Sequence, residues 1–403
     1  MQSILTLAIW FIAFAWLITL GLTLYGLARQ RPLLTTEERV IANEAPLVSV
    51  LVPARNEQDR VLTECIRSLL GQDYERFEVI AVNDRSTDAT GAMLDALART
   101  DHHLQVIEGQ ELPDGWLGKP YAMHQALDHA RGEWILATDA DMIFDHTALC
   151  AAMNHTLRNQ GDALTLIPRF EAESFWERVM IPTWLWVFLL FSLFYRVGNP
   201  KSQGAAGFGG FFLMRRDVLE HAGGYQALRD EVMEDVRLAE LLKRSGARVL
   251  IESAPDLVST RMYRNFREMW ECSTKNWFSG MKFSLSFALS CVGSMYLMAV
   301  APPLITLLAL IGLAAGARVN LWILILPAAL SWFTQVVVLA LMSKRVGVSR
   351  AYALTAPLGL GVLYAMLFDS SIKITTGKGV TWKGRRIYER NGVRPPGFSG
   401  GAT

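Results

Sequence analysis

The sequence predicts an α/β domain with a mostly parallel sheet, inserted between membrane-spanning helices. Its 403 residues are 51% hydrophobic and only 19% charged, which is more apolar than an ordinary soluble domain requires. Between the apolar ends, strand-like runs alternate with helix-like runs. Such alternation is typical of a parallel sheet covered by helices on both faces. The formal net charge of +1 gives no global bias toward nucleic acid, so no nucleic-acid partner is predicted.

The first apolar run covers residues 4–28 and exceeds the roughly 20 residues that span a bilayer. It has no small-residue cleavage site, so we expect an uncleaved anchor over residues 1–29. Arg29 and Arg31 follow this run, and the positive-inside rule places that end in the cytoplasm. The domain that follows is therefore predicted to face the cytosol from the inner (cytoplasmic) membrane of the cell.

Further apolar blocks predict a multi-pass protein with C-terminal membrane helices over residues 283–372. These blocks cover residues 283–317, 319–342 and 351–368. Three single crossings would place the basic tail, residues 373–403, outside, against the positive-inside rule. We therefore expect a bent or re-entrant block; Pro302 and Pro303 interrupt the first one.

Acidic side chains follow several predicted strands of the polar region between these membrane segments. The strand-like stretches are "PLVSVLVPARNE", "FEVIAVND" and "WILATDADMIF". Parallel sheets bind ligands beyond the carboxyl ends of their strands. The polar residues at those ends are Asn56, Glu57, Asp84, Asp139 and Asp141. The sequence therefore predicts a ligand site at this edge of the sheet.

Asp139 and Asp141 form a DxD pair that, in an extended segment, points to one side. Close unpaired carboxylates repel each other, and a hard divalent cation relieves that repulsion. Mg²⁺ or Mn²⁺ accepts oxygen ligands from one or two carboxylates plus substrate phosphates. A lone DxD is also compatible with a helix N-cap or a solvated turn.

Four separated motifs resemble an inverting family 2 glycosyltransferase with a GT-A fold. They are "VPARNE", "VNDRSTDAT", "DAD" and "EVMED", and the resemblance covers residues 46–280. Within it, "LPDGWLGKPYAMHQAL", "ESFWERVMIP" and "HAGGY" are similar to hopanoid-associated glycosyltransferases, as are "YLMAVAPPL", "MLFDSS" and "WKGRRIY" beyond it. Ceramide glucosyltransferases and bacterial carotenoid glycosyltransferases resemble the chain more distantly.

The resemblance implies a donor site for a UDP-sugar. The residues implied to hold the uridine nucleotide are Pro53, Ala54, Glu57 and Asp84. Asp139 and Asp141 are implied to bind ribose and the metal, which would be Mg²⁺ or Mn²⁺. Lys119 could reach the nucleotide phosphates, although an ordinary surface lysine is an equal alternative.

The stretch "EVMED" supplies the candidate catalytic pair, Glu234 and Asp235. By resemblance, Asp235 is the general base that takes the proton from the acceptor hydroxyl. A single in-line displacement would then invert the sugar configuration. Taken alone, "EVMEDVRLAELLKRSG" is also a solvated amphipathic helix with acidic first and basic last turns, which suits the helix dipole.

The chain departs from processive family members, which carry a QxxRW motif where this sequence reads "STKNW". The missing Gln and Arg argue against a polysaccharide synthase, which stays an alternative function together with a non-catalytic nucleotide-sugar-binding membrane protein. Trp277 remains and is predicted to contact the acceptor, with an interfacial anchor as the alternative.

Residues 179–195 form a short apolar, aromatic segment within the predicted cytosolic domain. A single crossing there would put Asp235 and Asp84 on opposite sides of the membrane, which the mechanism forbids. We therefore expect interfacial helices near residues 175–196, with Trp184 and Trp186 contacting the acceptor. These features predict a membrane lipid acceptor, and the resemblance implies one of hopanoid, sphingolipid or isoprenoid type.

Overall fold

The computed structural model describes residues 2–29, 32–34, 45–191, 197, 202, 204–316, 321–382 and 384–389. Residues 390–403 of the predicted tail and 192–196 of the predicted interfacial segment lie outside this set. The chain forms two compact units. The helical unit comprises Met1–Arg29, Ala172–Phe191 and Tyr263–Val380, and the sheet unit comprises Gln30–Glu171, Ser192–Met262 and Thr381–Thr403.

Helices and strands are numbered separately in chain order. The helices are α1 (Gln2–Arg29), α2 (Leu62–Leu70), α3 (Thr90–Ala98), α4 (Gly118–His129), α5 (Ala148–Arg158), α6 (Phe175–Phe191), α7 (Arg216–His221), α8 (Glu234–Arg244), α9 (Phe266–Gly280), α10 (Leu285–Ala299), α11 (Ala301–Ala314), α12 (Trp322–Arg345) and α13 (Ala356–Thr375). The strands are β1 (Val48–Ala54), β2 (Phe77–Asn83), β3 (Leu104–Glu108), β4 (Trp134–Ala137), β5 (Met142–Phe144), β6 (Ala163–Ile167), β7 (Arg169–Phe170), β8 (Phe212–Arg215), β9 (Val249–Ser253), β10 (Val258–Thr260), β11 (Lys378–Trp382) and β12 (Arg385–Glu389).

The main sheet of the sheet unit has the strand order β3-β2-β1-β4-β8-β6-β9. Its pairs are parallel except those of β8, which runs antiparallel to both β4 and β6. This arrangement confirms the predicted mostly parallel sheet. The order reverses direction at β1, where β2 lies on one side and β4 on the other. A ligand crevice forms at such a reversal because the helices that follow the two halves lie on opposite faces.

Buried apolar runs explain why these segments form the interior of the sheet unit. Six of the seven residues of β1 and all seven of β2 are buried, as expected for strands covered on both faces. Helix α2 contacts β5 and α3, and its apolar face joins the same buried cluster through Leu62, Cys65, Ile66 and Leu69. Burial of apolar surface contributes roughly 25 cal/mol per Å² to the free energy of folding. This buried core therefore stabilises the strands and fixes the positions of their ends.

Two smaller sheets complete the strand inventory of the described residues. In the first, β10 pairs antiparallel with β5 and parallel with β7. Strand β5 starts directly after Asp141, so the DxD pair lies in the connection from β4 to β5. The second is the hairpin of β11 and β12, within which the chain passes from the helical unit to the sheet unit.

The helical unit contains the apolar segments that the sequence assigned to the membrane. Among the described residues, four stretches are long and apolar enough to cross a bilayer: Ile4–Arg29, Leu285–Ala314, Trp322–Arg345 and Arg350–Thr375. Large apolar side chains such as Ile4, Phe11, Leu308 and Ile311 are exposed along them, as lipid contact requires. The first C-terminal block is divided at Val300, next to the two prolines expected to bend it.

The predicted interfacial helices near residues 175–196 are one continuous helix, α6, in the described part of that segment. Trp186 is 5% exposed, stacks on Trp16 with ring centroids 5.6 Å apart, and donates from Nε1 to Thr23 Oγ1 at 3.2 Å. Helix α6 therefore packs inside the helical unit, where apolar aromatic surface contributes most to packing.

Candidate functional site

The carboxyl ends of β1 and β2 bring together the residues predicted to hold the nucleotide. Pro53 and Ala54 are the last residues of β1, and Asp84 directly follows β2. The backbone N–H of Asp84 donates to the carbonyl oxygen of Ala54 at 2.8 Å, which fixes the two ends side by side. Glu57 is buried nearby, and its backbone N–H donates to Thr90 Oγ1 at 2.7 Å.

Asp84 is surrounded by arginine side chains. Arg85 Nε donates to Asp84 Oδ1 at 3.0 Å, and Arg385 Nη1 donates to Asp84 Oδ2 at 3.0 Å. Arg55 Nη1 donates to the backbone carbonyl oxygen of Asp84 at 2.7 Å. Hydrogen bonds from charged donors are roughly twice as strong as neutral ones, so this carboxylate is firmly oriented.

The DxD pair lies in a turn rather than in the extended segment that the sequence suggested. Residues 140 and 141 form the turn between β4 and β5, so the expectation that strand geometry aligns the two carboxylates is wrong. Each carboxylate has its own cationic neighbour. Lys119 Nζ lies 2.6 Å from Asp139 Oδ1, and Arg60 Nη1 lies 4.0 Å from Asp141 Oδ2.

The predicted catalytic pair opens helix α8. Glu234 is buried, and its Oε1 lies 2.5 Å from Lys119 Nζ. Asp235 is half-buried; its Oδ2 accepts from the Gly209 N–H at 2.8 Å and its Oδ1 from the Val236 N–H at 2.8 Å. Carboxylates in the first turn of a helix are favoured by the positive end of its dipole. Lys119 therefore links the DxD turn to the start of α8.

Gly209 marks the point where these groups converge. A Cβ atom on this residue would lie 3.1 Å from Lys119 Nζ and 3.3 Å from both Asp139 Oδ2 and Asp235 Oδ2. The missing side chain leaves room for three charged groups around one backbone position. The structure thus brings together Asp139, Lys119 and Asp235, which are separated by up to 116 positions in the sequence.

The charges of this cluster perturb one another. Burial, followed by the charge of Glu234, raises the pKa of Asp235 to about 6, while the Lys119 ammonium opposes the rise. Burial lowers the pKa of Lys119, but the charges of Asp139 and Glu234 outweigh it and raise that pKa well above its usual value. A carboxyl group poised near neutral pH beside a permanently charged lysine suits proton transfer.

The residues predicted to contact the acceptor all lie in the helical unit. Trp277, on α9, has a buried Nε1 with no hydrogen-bond partner among the residues that the structure describes. Trp184, on α6, is half-buried and its ring stacks on Phe188 at 5.5 Å. Trp186 has the bundle contacts described above, and its role at the acceptor stays a prediction.

Among the described residues, a possible metal group of three or more ligating side chains occurs on the surface rather than at the DxD pair. It consists of Asp101, His102 and His103. His103 Nδ1 lies 2.9 Å from Asp101 Oδ1, and its ring stacks on Phe77 at 5.0 Å, which accounts for the histidine without an ion. The metal role of Asp139 and Asp141 stays a prediction.

Sequence reasoning missed Gly209 and Arg385 as parts of the site. For Gly209 the available signal was the glycine-rich run "GFGGFFLM" before the catalytic pair. For Arg385 the sequence offered the basic stretch "WKGRRIY", but nothing local links it to a residue 301 positions earlier.

Comparison with known proteins agrees with this geometry. The glycosyl transferase family 2 profile matches residues 49–223. A 4,4'-diaponeurosporenoate glycosyltransferase of Staphylococcus aureus (strain MRSA252) is 25% identical over 352 residues, which cover 84% of this chain and 88% of that protein. The protein of the same name in strain USA300 is 25% identical over 237 residues, which cover 58% of this chain and 61% of that one.

A solved structure shares the fold. Mannosyltransferase PcManGT from Pyrobaculum calidifontis, in complex with GDP-Man and Mn²⁺, has a TM-score of 0.52 at 19% identity, covering 91% of this chain and 98% of that chain. The sheet described above is accordingly that of a GT-A fold. From the profile match and the relatives together, we conclude that this chain is a glycosyltransferase, with residues 49–223 matching the family 2 profile.

Proposed function

We propose that the protein is an inverting membrane glycosyltransferase that moves a sugar from a UDP-sugar to a hydroxyl group of a membrane lipid. The observation that carries the proposal is the convergence of Lys119, Asp139 and Asp235 around Gly209. In this cluster Lys119 is suited to binding the diphosphate, and Asp235 carries a carboxyl group suited to proton transfer. The candidate membrane helices supply the reason to expect a lipid acceptor.

In this proposal Asp235 takes the proton from the acceptor hydroxyl. A pKa of about 6 leaves its carboxylate mostly ionised at neutral pH and still basic enough to accept a proton. The Gly209 N–H holds Oδ2, so the acceptor proton meets a carboxylate of fixed orientation. Because the hydroxyl attacks opposite the leaving phosphate in one step, the sugar configuration inverts. Glu234 supports the site by pairing with Lys119.

The donor set at the DxD turn fits a hard divalent cation. Asp139 and Asp141 offer carboxylate oxygens, and a lysine ammonium already lies 2.6 Å from Asp139 Oδ1, which shows that this position favours positive charge. These two residues would hold Mg²⁺ or Mn²⁺, as PcManGT is solved with Mn²⁺. When bound, the ion supplies charge neutralisation for the departing diphosphate. Lys119 stays within reach of the same negative charge.

For the nucleotide, we assign the base and ribose to the residues at the ends of β1 and β2. The carboxylates of Asp84 and Glu57 would accept hydrogen bonds there, and Pro53 and Ala54, the last residues of β1, lie beside Asp84. For the acceptor, the buried Trp277 Nε1 without a partner among the described residues offers a donor to a lipid hydroxyl. The relatives are named for 4,4'-diaponeurosporenoate, and an isoprenoid, hopanoid or sphingolipid acceptor is consistent with the apolar helices.

By the positive-inside rule, Arg29 at the end of α1 favours an inner-membrane protein with its sheet unit in the cytosol. The domains we assign are an anchor at residues 1–29, a cytosolic GT-A domain at 46–280 and membrane helices at 283–372.

The test is to incubate membranes containing the protein with a panel of labelled UDP-sugars and to identify the labelled product by mass spectrometry. We expect one glycosylated lipid from the wild type. Asp235→Asn should abolish its formation while UDP binding stays near normal, because the residue serves the acceptor hydroxyl rather than the nucleotide. Asp95→Asn, an exposed carboxylate on α3, is the matched control and should leave transfer unchanged.

Three results would contradict the proposal. Transfer by Asp235→Asn within about tenfold of the wild type would remove this residue from the base role. A polymeric product would favour a polysaccharide synthase. Tight UDP binding with no turnover on any acceptor would favour a non-catalytic binding protein.

A further inference from the structure

The hairpin of β11 and β12 places an arginine from a distant part of the sequence beside the predicted nucleotide site. Arg385, the first residue of β12, lies 301 positions after Asp84. Its Nη1 donates to Asp84 Oδ2 at 3.0 Å and its Nη2 to the Asp84 carbonyl oxygen at 3.4 Å. The side chains of Asp84 and Arg385 are 7% and 26% exposed, so the pair is shielded from solvent. Shielding of this kind strengthens the attraction between opposite charges.

Two features hold this arginine in place. Tyr388, three residues later, is buried, and its hydroxyl donates to the carbonyl oxygen of Asp230 at 2.9 Å. Its φ of 58° is in the left-handed region, which an aromatic residue adopts only where its surroundings hold it there. Gly118 provides the space, because a Cβ atom on it would overlap Arg385 Nη1 and lie 2.9 Å from Asp84 Oδ2.

The three arginines around Asp84 give this part of the predicted nucleotide site an excess of positive charge. Arg85 contacts one oxygen of the Asp84 carboxylate and Arg385 contacts the other, while Arg55 contacts its backbone. Burial and the neighbouring arginines lower the pKa of Arg55, as expected where like charges are crowded. A ligand rich in hydrogen-bond acceptors, but carrying one donor for the carboxylate, would satisfy all of these groups.

We propose that Arg385 is a specificity-determining residue that selects uracil among the nucleobases of the donor. The proposal rests on the proposed function, in which Asp84 receives the base. Because Arg85 and Arg385 each contact one oxygen of the Asp84 carboxylate, the site presents a row of three groups. These are an N–H donor from one arginine, the carboxylate of Asp84 as acceptor, and an N–H donor from the other arginine. The imide edge of uracil presents the complement: a carbonyl oxygen, the N3–H and a second carbonyl oxygen.

Thymine shares this imide edge with uracil, whereas guanine, cytosine and adenine do not match the pattern. Guanine carries an amino group where uracil carries one of its carbonyl oxygens. That amino group would face a guanidinium group, and because both are hydrogen-bond donors they could not pair. Cytosine and adenine present a ring nitrogen that accepts, and it would face the Asp84 carboxylate. A buried polar group left without a partner is costly, so a site of this kind rejects the wrong base more strongly than an apolar pocket would.

The test measures UDP and GDP binding to the full chain in detergent, for the wild type and for Arg385→Ala. We expect the wild type to bind UDP at least about tenfold more tightly than GDP. Arg385→Ala should weaken UDP binding about tenfold and change GDP binding less than about threefold, so that the preference largely disappears. Arg386→Ala removes the exposed arginine next to it on β12 and should change neither affinity.

A second variant tests the same contact without altering the arginine. Gly118→Ala has no positive φ to oppose it, and its new methyl group would displace Arg385 from Asp84. It should therefore reproduce the loss of UDP preference, and the double variant should lose little more than either single variant because both remove one contact.

The outcomes separate this inference from the proposed function. If Arg385→Ala binds UDP as tightly as the wild type or more tightly, Arg385 does not read the base and the inference is wrong. In that case labelled lipid formed from a UDP-sugar by the wild type would still support the proposed function. If the wild type binds GDP more tightly than UDP and uses a GDP-sugar, both are overturned.

Discussion

At the scale of single residues, we expect Asp235, as the proposed general base, to make the activity depend on pH in a definite direction. Its pKa of about 6 means that the carboxylate loses its charge as the pH falls through that value. A general base must be ionised, so kcat/KM should fall about tenfold per pH unit below about pH 6 and level off above it. The measurement is lipid transfer against pH at limiting acceptor.

Lys119 provides the control for that assignment. Its positive charge lowers the pKa of Asp235, so Lys119→Gln should move the acidic limb to higher pH as well as lowering the rate. The position of the limb is the informative quantity, because loss of a phosphate contact alone would lower the rate at every pH. A limb that stays in place in Lys119→Gln would argue against Asp235 as its source.

The DxD turn makes a separate residue-scale prediction. Asp141→Ala should lose both transfer and the metal-dependent part of UDP binding, and Asp139→Ala should behave similarly or slightly more mildly. The measurement is UDP affinity with Mn²⁺ and with chelator. If the wild type binds UDP equally well in chelator, these two residues do not hold a metal for the donor.

At the scale of the element, two of the three tryptophans of helix α6, Trp184 and Trp186, have different surroundings. Trp186 lies against Trp16, so Trp186→Ala should destabilise the helical unit, by about 3–5 kcal/mol for loss of a large buried ring. Trp184 is half-buried, so Trp184→Ala should keep the fold and weaken transfer to lipid more than hydrolysis of the UDP-sugar by water.

Thermal unfolding and the ratio of transfer to hydrolysis, both in detergent micelles, distinguish these two effects. Micelles matter because attachment to a bilayer then no longer limits the encounter with the acceptor. Wild-type transfer by Trp184→Ala under these conditions would mean that α6 is a packing element and that the lipid does not approach over it.

At the scale of the whole molecule, the contact between Arg385 and Asp84 constrains the path through the membrane. Both residues belong to the sheet unit, so we expect them to lie on one side of the bilayer. Between them the chain contains three of the four candidate spans, and three full crossings would separate them. We therefore expect an even number of crossings after residue 262.

The charges at the end of α12 indicate which candidate does not cross. Its last turn carries Lys344 and Arg345, which by the positive-inside rule favour the cytosolic side for that end. We therefore expect helix α13 to start and end on that side, although it is long and apolar enough to cross.

Cysteine labelling in intact cells tests this topology. The four native cysteines are buried, so labelling of a single introduced cysteine can be measured over a low background from the native ones. A membrane-impermeant reagent should label a cysteine at Gly316 from outside, whereas cysteines at Ser349 and Arg386 should be labelled only after the membrane is opened. Labelling of the Arg386 position from outside would contradict the assignment.

The parts of the fold and site that the sequence predicted are those with local signals. The strands that precede Asp84 and Asp139 follow from runs of buried residues, and the acidic start of α8 follows from its own amphipathic pattern. Strand β8 was not predicted, because it enters the sheet antiparallel and carries no turn signal that ties it to β4. The contacts of Lys119 and Arg385 depend on tertiary pairing, which no periodicity encodes.

The site at Asp84 combines residues from the two ends of a long stretch of chain. This separation determines the order in which the parts of the site form during synthesis. A ribosome completes β2 and Asp84 about 300 residues before it reaches Arg385. All of α9 to α13 is made in that interval. The nascent sheet can fold early, but with only one of the two arginines that flank the carboxylate. Under the proposed function, we therefore expect strong retention of the sugar nucleotide to begin only when the candidate membrane helices have themselves been made.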